Sequence, residues 1–554
     1  MSDLQSLYET HRSAIETATA AIHSRVFHAQ WPEPPSGKIY GETAQADGEA
    51  QFKARLNARF EDLKQDAVSW AGSELSPYGF PLNVQYPVLP TESYVERASA
   101  VFRPWARLQP RERAGLLMEA LVRSSRHFFE IGYATMHTTG QGFIMAFQAS
   151  GPHAYDRALE ALALGLHEQT RFTDSTEWEK PMGKMSVRLQ KTFRAVGRGP
   201  ALVIGCSTFP IWNSFPAIFA NLVCGNPVIV KPHPGAVLPI AVAVADIRAA
   251  LRDNTIDPDV IQLAVDGDTP IALQLAQHPS VRLIDYTGNS AFGEQLERIP
   301  DKIVFTEKAG VNSVLLDSVD DLDAALDNLA FSVSLYSGQM CTTPQNIFIP
   351  KSGVREKESL VGYSDVCSRF VAKLEALVGN EKMGPGTLGA IQNPATVERV
   401  DSMSDTGCSM LRAAAPVVHA GFDAARSLSP LVLEVPAERA DVYRRELFGP
   451  IVCIVPVDDT AHGLALAASA AREQGAITFA AYCTDAHVRA HIADEMAFAG
   501  APVSFNLTGP IWVNQSATFS DFHVSGGNPA GNASLTDVAF VARRFYIATT
   551  RIPV

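Results

Sequence analysis

The sequence predicts an α/β protein made of two doubly wound α/β domains, with a helical layer ahead of them and a small β-ribbon outside both sheets. Three observations carry that prediction. From residue 201 onward short apolar runs alternate with helix-length segments. The first 180 residues are mostly helical in pattern, and two stretches, 185–196 and 542–554, alternate polar and apolar residues as half-exposed strands do. A length of 554 residues fits three or four domains and leaves room for a cleft between lobes.

The helical layer, 1–184, is broken at the Pro- and Gly-rich runs Trp31-Pro-Glu-Pro-Pro-Ser-Gly and Ser76-Pro-Tyr-Gly-Phe-Pro. The ribbon strands come next, at 185–200, and again at 542–554. The runs ALVIGCS, NPVIVKP, VIQLAVDG, VRLIDYTG and DKIVFTE then read as strands within 201–309, with helices at 211–224, 236–251, 270–278 and 291–298 between them. Continuous apolar strands are covered on both faces, the condition of a parallel sheet, and such a sheet binds ligands at the carboxyl ends of its strands. That edge carries Cys206-Ser207-Thr208, Lys231, Asp266 and Thr287-Gly288-Asn289, where a nucleotide-type site is expected. NSVLLDS, QNIFIPK, PIVCIVPV and AITFAAYC predict a second α/β domain over 310–505, after which 506–541 returns to the first. Gly384-Pro-Gly-Thr-Leu-Gly matches a phosphate-loop pattern, but it follows no apolar strand and Pro385 does not suit a helix opening, so it reads as an ordinary loop.

Composition removes several function classes. With 46% hydrophobic and 19% charged residues the chain is neither disordered, collagen-like nor coiled-coil. Forty-six basic against 59 acidic residues, without a basic block, argue against a nucleic-acid partner and an anionic membrane surface. The start lacks the basic end and apolar run of a signal peptide, and no apolar stretch is long enough to span a membrane. Seven scattered cysteines have no disulfide, redox-pair or metal-ligand spacing. A cytoplasmic chain with no metal site is expected.

Two residues carry candidate chemistry. Cys341, in Ser337-Gly-Gln-Met-Cys-Thr-Thr-Pro, sits among small and polar residues that can leave a thiol open to a cleft, as a nucleophile requires. Taken alone it reads more readily as a small core filler. Glu307 closes a predicted inner strand, where a carboxylate alone reads as a cap or an ion-pair partner.

Together the motifs are more specific. Glu307-x-x-Gly310-x-Asn312, then Gly338-Gln339-x-Cys341 with its cysteine 34 residues after the glutamate, then Glu446-Leu447-Phe448-Gly449-Pro450, resemble the successive signatures of the aldehyde dehydrogenase superfamily. Gly225-Asn226-x-Val228-x-x-Lys231-Pro232 and Tyr286-Thr287-Gly288-Asn289 resemble its cofactor-binding strand and turn. The resemblance implies a cofactor domain, a catalytic thiol domain, and a ribbon that joins subunits into a homodimer or homotetramer. It implies that Cys341 attacks an aldehyde and that Glu307 is the base that hydrolyses the resulting thioester. Lys231 would hold the adenosine ribose, Thr287, Gly288 and Asn289 the pyrophosphate region, Glu446 and Phe448 the nicotinamide ribose, with Ser207 and Phe209 also lining the cofactor site.

Three departures from the family pattern matter. Thr208 stands where the family has an oxyanion-donating Asn, and Asn213 arrives five residues later; Thr208 is the preferred donor, with the backbone N–H of Cys341. Lys231-Pro-His233-Pro234 lacks the acid that chelates the ribose hydroxyls of NAD, so NADP is expected over NAD, with Asp266 and Asp268 the residues able to reverse that choice. Finally, Cys206-Ser-Thr-Phe-Pro-Ile-Trp-Asn, the N-terminal extension and Thr518–Asn532 resemble the phenylacetic acid degradation branch, which implies a ring-opened, CoA-linked semialdehyde as substrate. Two alternatives stay open. One is a CoA-acylating aldehyde dehydrogenase, against which Glu307 argues, and the other a catalytically silent binding subunit, motivated by Thr208.

Overall fold

A computed structural model describes residues 3–513 and 526–554. The first sheet has five parallel strands in the order Ile261–Leu263, Val228–Lys231, Ala201–Ile204, Leu283–Thr287, Ile303–Glu307. Strand order runs outward in both directions from the strand Ala201–Ile204, so a crevice opens at its carboxyl end. Successive residues of each strand enter different cores: Ala201, Val203 and Val230 pack with the helix Pro210–Val223 on one face, while Leu202, Ile229 and Ile284 pack with Tyr94 and Ala98 on the other. Burial on both faces is why these runs carry no polar alternation.

The second sheet has seven strands, from Ser409–Arg412 through Leu431–Glu434, Ile451–Val457, Asn346–Pro350, Ser313–Leu316 and Phe479–Tyr482 to Val503–Phe505. All pair in parallel except the edge strand Ser409–Arg412. Val314 and Ile347 face one helical layer and Leu315 and Phe348 the other.

Outside both sheets Met185–Gly197 lies between Ser175–Met182 and Phe545–Pro553, antiparallel to each. Here the expected boundaries need correction. Residues 175–182 belong to this ribbon and not to the helical layer, because Ser-Thr-Glu-Trp-Glu-Lys-Pro-Met is exposed along most of its length and carries no apolar alternation to betray a strand. The last strand starts at Phe545, since Ala539–Ala542 forms a helical turn. The segment 383–388 is likewise not a loop: Met383–Leu388 closes into a short helix, Pro385 being tolerated in its first turn.

Of the expected substrate loop, 518–525 lies outside the described residues. Residues 526–541 return to the first sheet: Asn532 Oδ1 accepts the Thr306 N–H at 2.9 Å, and Gly531 bridges Glu307 so closely that a Cβ there would overlap the Thr306 carbonyl oxygen. Among the described residues no helix is long and apolar enough to cross a membrane.

Candidate active site

The two sheets meet at the cysteine loop. The helix Leu322–Ser334 ends and the chain turns through three consecutive residues of left-handed backbone, Tyr336, Ser337 and Gly338, before reaching Cys341. Gly338 has no substitute: a Cβ would overlap the Gly449 carbonyl oxygen, and the Gly449 N–H donates to the Gly338 carbonyl at 3.2 Å. The cysteine motif and Glu446-Leu447-Phe448-Gly449-Pro450 are therefore one packed unit. Gln345 locks it further, accepting the Leu447 N–H at 2.7 Å and donating to the Tyr443 and Arg445 carbonyls, both at 3.0 Å.

Glu307 reaches this unit from the other side, as the last residue of its strand, 4% exposed. Asn213 Nδ2 donates to Glu307 Oε2 at 3.2 Å, and the Cys341 thiol is within hydrogen-bonding reach of the same carboxylate. Cys206 completes the cluster, its Sγ 3.5 Å from Asn213 Oδ1. Burial first, and the neighbouring Glu307 second, push the Cys341 thiol well above its ordinary value, so the resting cysteine is protonated. Burial likewise pushes Cys206 up, to about 11. Proton transfer from Cys341 must therefore accompany attack, with Glu307 placed to accept it.

The structure gives Asn213 and Thr208 different surroundings. Asn213 holds Glu307, whereas the Thr208 hydroxyl is turned to the Cys206 thiol and its carbonyl accepts from Gln141 Nε2 at 2.7 Å. Ser207 lies partly exposed beside them. The Phe209 ring is largely buried, edge-on to Tyr336 at 5.7 Å, and packs with the core under the cysteine loop.

At the sheet's carboxyl edge Lys231 Nζ is ion-paired to Asp266 Oδ2 at 2.8 Å and donates to the Pro232 carbonyl. Burial lowers the Lys231 pKa against the opposing pull of Asp266. The loop after the neighbouring strand Ile261–Leu263 thus brings an acid, Asp266, beside Lys231 where position 234 has none, while Asp268 is exposed. His233 is exposed; its Nδ1 accepts the Gly235 N–H at 3.1 Å, and desolvation, then the Lys231 charge, lower its imidazole to about 4. Thr287 ends its strand, the Gly288 N–H donates to the Glu307 carbonyl at 3.0 Å, and Asn289 Oδ1 caps the helix Ser290–Glu297 through the Phe292 N–H. Gly288 is pressed against the Tyr286 hydroxyl, leaving no space for a side chain. Glu446 is partly buried on the thiol side of the groove; burial raises its carboxyl to about 7 against the Arg399 charge and the Gly310 N–H. Phe448 stands next to it with its carbonyl held by Arg399 at 2.5 Å. A buried lysine–carboxylate pair at one end, a glycine-lined turn in the middle and a second carboxylate at the other fit the two riboses and the pyrophosphate of a dinucleotide.

Sequence reasoning passed over two supports. Gln345 carries no pattern that marks it. Asn312 was visible inside the glutamate motif, but only the fold shows that its amide bridges the cysteine loop to the strand Phe479–Tyr482.

A doubly wound sheet whose carboxyl edge faces a cysteine and a buried carboxylate places the protein among α/β enzymes. The chain belongs to the aldehyde dehydrogenase family, whose model matches residues 90–526. Among solved structures it is 43% identical to an NAD-dependent aldehyde dehydrogenase from Burkholderia multivorans, covering 99% of both chains with a TM-score of 0.96. Its fold also matches Thermus thermophilus 1-pyrroline-5-carboxylate dehydrogenase (R100A mutant), with a TM-score of 0.77 over 96% of this chain and 99% of that one at 16% identity. Among curated proteins it is 23% identical to the 1-pyrroline-5-carboxylate dehydrogenase of Bacillus subtilis (strain 168), over 68% of this chain and 70% of that one. It is 24% identical to the N-succinylglutamate 5-semialdehyde dehydrogenase of Erwinia tasmaniensis (strain DSM 17950 / CFBP 7177 / CIP 109463 / NCPPB 4357 / Et1/99), over 67% and 71%.

Proposed function

We propose that this enzyme oxidises a semialdehyde to its acid with NAD, through a thioester on Cys341 that Glu307 hydrolyses. The observation that carries this reading is the convergence of the Cys341 thiol and the Asn213 amide on one buried carboxylate, Glu307. Cys341 Sγ bonds to the aldehyde carbon as its proton passes to Glu307 and negative charge gathers on the aldehyde oxygen. The Cys341 N–H and the Thr208 hydroxyl are the donors assigned to that oxygen. The nicotinamide, when bound, supplies the hydride acceptor that converts the thiohemiacetal to a thioester. Glu307, once it has released that proton to solvent, takes a proton from water, whose oxygen bonds to the thioester carbon; the C–S bond breaks, Glu307 returns its proton to the departing Cys341 sulfur, and the acid leaves.

Lys231 and Asp266 hold the adenosine ribose, Gly288 and Asn289 the pyrophosphate, and Glu446 with Phe448 the nicotinamide ribose. Asp266 and the relative from Burkholderia multivorans both support NAD. Semialdehydes are favoured because one relative is named for such a substrate; the ring-opened, CoA-linked member of that class is the finer reading, supported by the sequence resemblance alone. The ribbon, with Met185, Ile547 and Ile552 exposed, is the surface that joins the subunits of a homodimer or homotetramer.

The test combines two variants with product analysis. Cys341→Ala should abolish turnover, and Glu307→Gln, which removes the proton acceptor of both steps, should slow the NADH burst and slow the steady state more. Equal loss of both phases in Glu307→Gln would remove the base assignment, and a product that forms only with free CoA would make the enzyme CoA-acylating. A screen of free and CoA-linked semialdehydes decides the substrate.

A further inference from the structure

Arg157 has no part in the steps above, yet it is buried beside them. It stands on the helix Pro152–Thr170, 4% exposed, with its guanidinium carbon 3.8 Å above the Trp212 ring. Trp212 is the neighbour of Asn213 on the helix Pro210–Val223. Behind the cysteine loop Arg157, Asn213, Asp285, Tyr286, Thr287 and Glu307 share the wall of a small chamber of about 20 Å³. That is room for one water molecule among polar partners. Among the described residues Arg157 is the one cation on the wall.

The charges around Glu307 divide by sign. Asp285 is matched by both Arg544 nitrogens, at 2.6 and 2.8 Å. Lys308, next in the chain, is turned away to Glu297 at 2.9 Å. Cys206, Cys341 and Tyr286 are neutral groups whose titration burial pushes upward, and Glu446 faces Cys341 from beyond it. On Arg157's own helix stand Asp156, pushed up to about 8 by burial, and Glu160. Carboxylates raise the pH at which Glu307 releases its proton, and a guanidinium sharing its chamber lowers it.

We propose that Arg157 is the positioning residue of the general base: across the chamber it keeps Glu307 ionised, and so sets the pH above which the acyl-enzyme is hydrolysed. This rests on the assignment of Glu307 as base. It gives a physical reason for a buried arginine on a helix that otherwise contributes only core.

The test uses the full-length chain without cofactor and an activated aryl ester, which acylates Cys341 and reports deacylation directly. Arg157→Met should move the acid limb of the deacylation profile upward by about one to two pH units, with acylation unchanged on the plateau above that limb, where Glu307 is ionised in both forms. Arg157→Lys should restore most of the shift. A folded Arg157→Met whose limb stays in place overturns the proposal, even if its rate is lower. Glu307→Gln separates the two ideas: if it leaves the limb intact the base assignment itself fails, whereas loss of the limb with no effect of Arg157→Met refutes only the role of Arg157. Should Arg157→Met not fold, the carboxyl stretch of Glu307 in the infrared difference spectrum of resting Arg157→Gln reads the same shift without turnover, and an unmoved band counts against the proposal.

Discussion

Asn312 is joined to Cys341 by an amide that serves four backbone groups at once. Its Nδ2 donates to the carbonyls of Cys341 at 2.6 Å and Thr343 at 3.0 Å, and its Oδ1 accepts the N–H of Ile477 at 2.9 Å and of Thr478 at 3.0 Å. The nucleophile's position is thus fixed against the strand Phe479–Tyr482 and not by the cysteine loop alone. Asn312→Ala leaves those groups buried without this partner, and stability should fall by about 2–4 kcal/mol. Thermal denaturation reads the loss. Alkylation of Cys341 by iodoacetamide should become faster as the loop loosens; an unchanged alkylation rate would mean the loop is held elsewhere.

Gly338 makes a sharper local prediction. Its backbone has φ +65° and a Cβ would run into the Gly449 carbonyl oxygen. Gly338→Ala should displace the cysteine loop and the Glu446–Phe448 segment together, lowering kcat and raising the cofactor KM in one variant. A change in kcat alone would show that the two loops move independently.

The five strands of the first sheet and four of the seven in the second were legible because two-sided burial writes an apolar run directly; Ser409–Arg412, Leu431–Glu434 and Val503–Phe505 were not, the first being an edge strand exposed over half its length. Cys341 and Glu307 stood out as a candidate pair only through a set of spaced motifs. Neither residue is distinctive alone, and the contact that unites them joins two domains. Residues 175–182 were not legible as a strand because a ribbon exposed on both faces imposes no hydrophobic alternation. The pairing of Lys231 with Asp266 was left open for another reason: Asp266 and Asp268 were both candidates, but 35 residues separate Lys231 from Asp266 and only the fold shows which carboxylate meets the lysine.

On the proposed reading that pairing selects the cofactor, because a carboxylate 2.8 Å from Lys231 can accept ribose hydroxyls and would repel a 2′-phosphate. NAD should be preferred over NADP by about tenfold or more in kcat/KM, equivalent to about 1.4 kcal/mol. Asp266→Ser should shrink that preference by raising the activity with NADP. Equal kcat/KM for the two cofactors in the unaltered enzyme would remove Asp266 from ribose recognition.

Glu446 should make cofactor binding depend on pH near neutrality. Burial holds its carboxyl at about 7, above the ordinary range, so it is protonated on the acid side of that value. Ribose hydroxyls donate best to the carboxylate form, and the protonated form gives up part of that acceptance. The cofactor KM should therefore rise as pH falls through about 7 and level off above it. Glu446→Gln should give a KM that is high and flat across the same interval. A wild-type KM that stays constant through neutrality would place the ribose away from Glu446.

The ribbon's attachment can be tested through Arg544, which is fully buried and holds both oxygens of Asp285, at 2.6 and 2.8 Å, while stacking 4.2 Å over the Phe305 ring. Asp285 also accepts from Asn221 at 2.9 Å, so one carboxylate joins the core helix Pro210–Val223, the central sheet and the start of the last strand. Arg544→Met leaves the Asp285 charge buried with only the Asn221 amide, and breaking such a pair from one side costs about 3–5 kcal/mol. Asp285→Asn alone strands the guanidinium and should cost a similar amount. The double variant, with both charges removed, should recover a large part of the loss, because the penalty lies in the unmatched charge more than in the bond. Chemical denaturation of the three variants measures the coupling. Strictly additive losses would show that Arg544 acts through its stacking on Phe305 and Phe540 and not through Asp285.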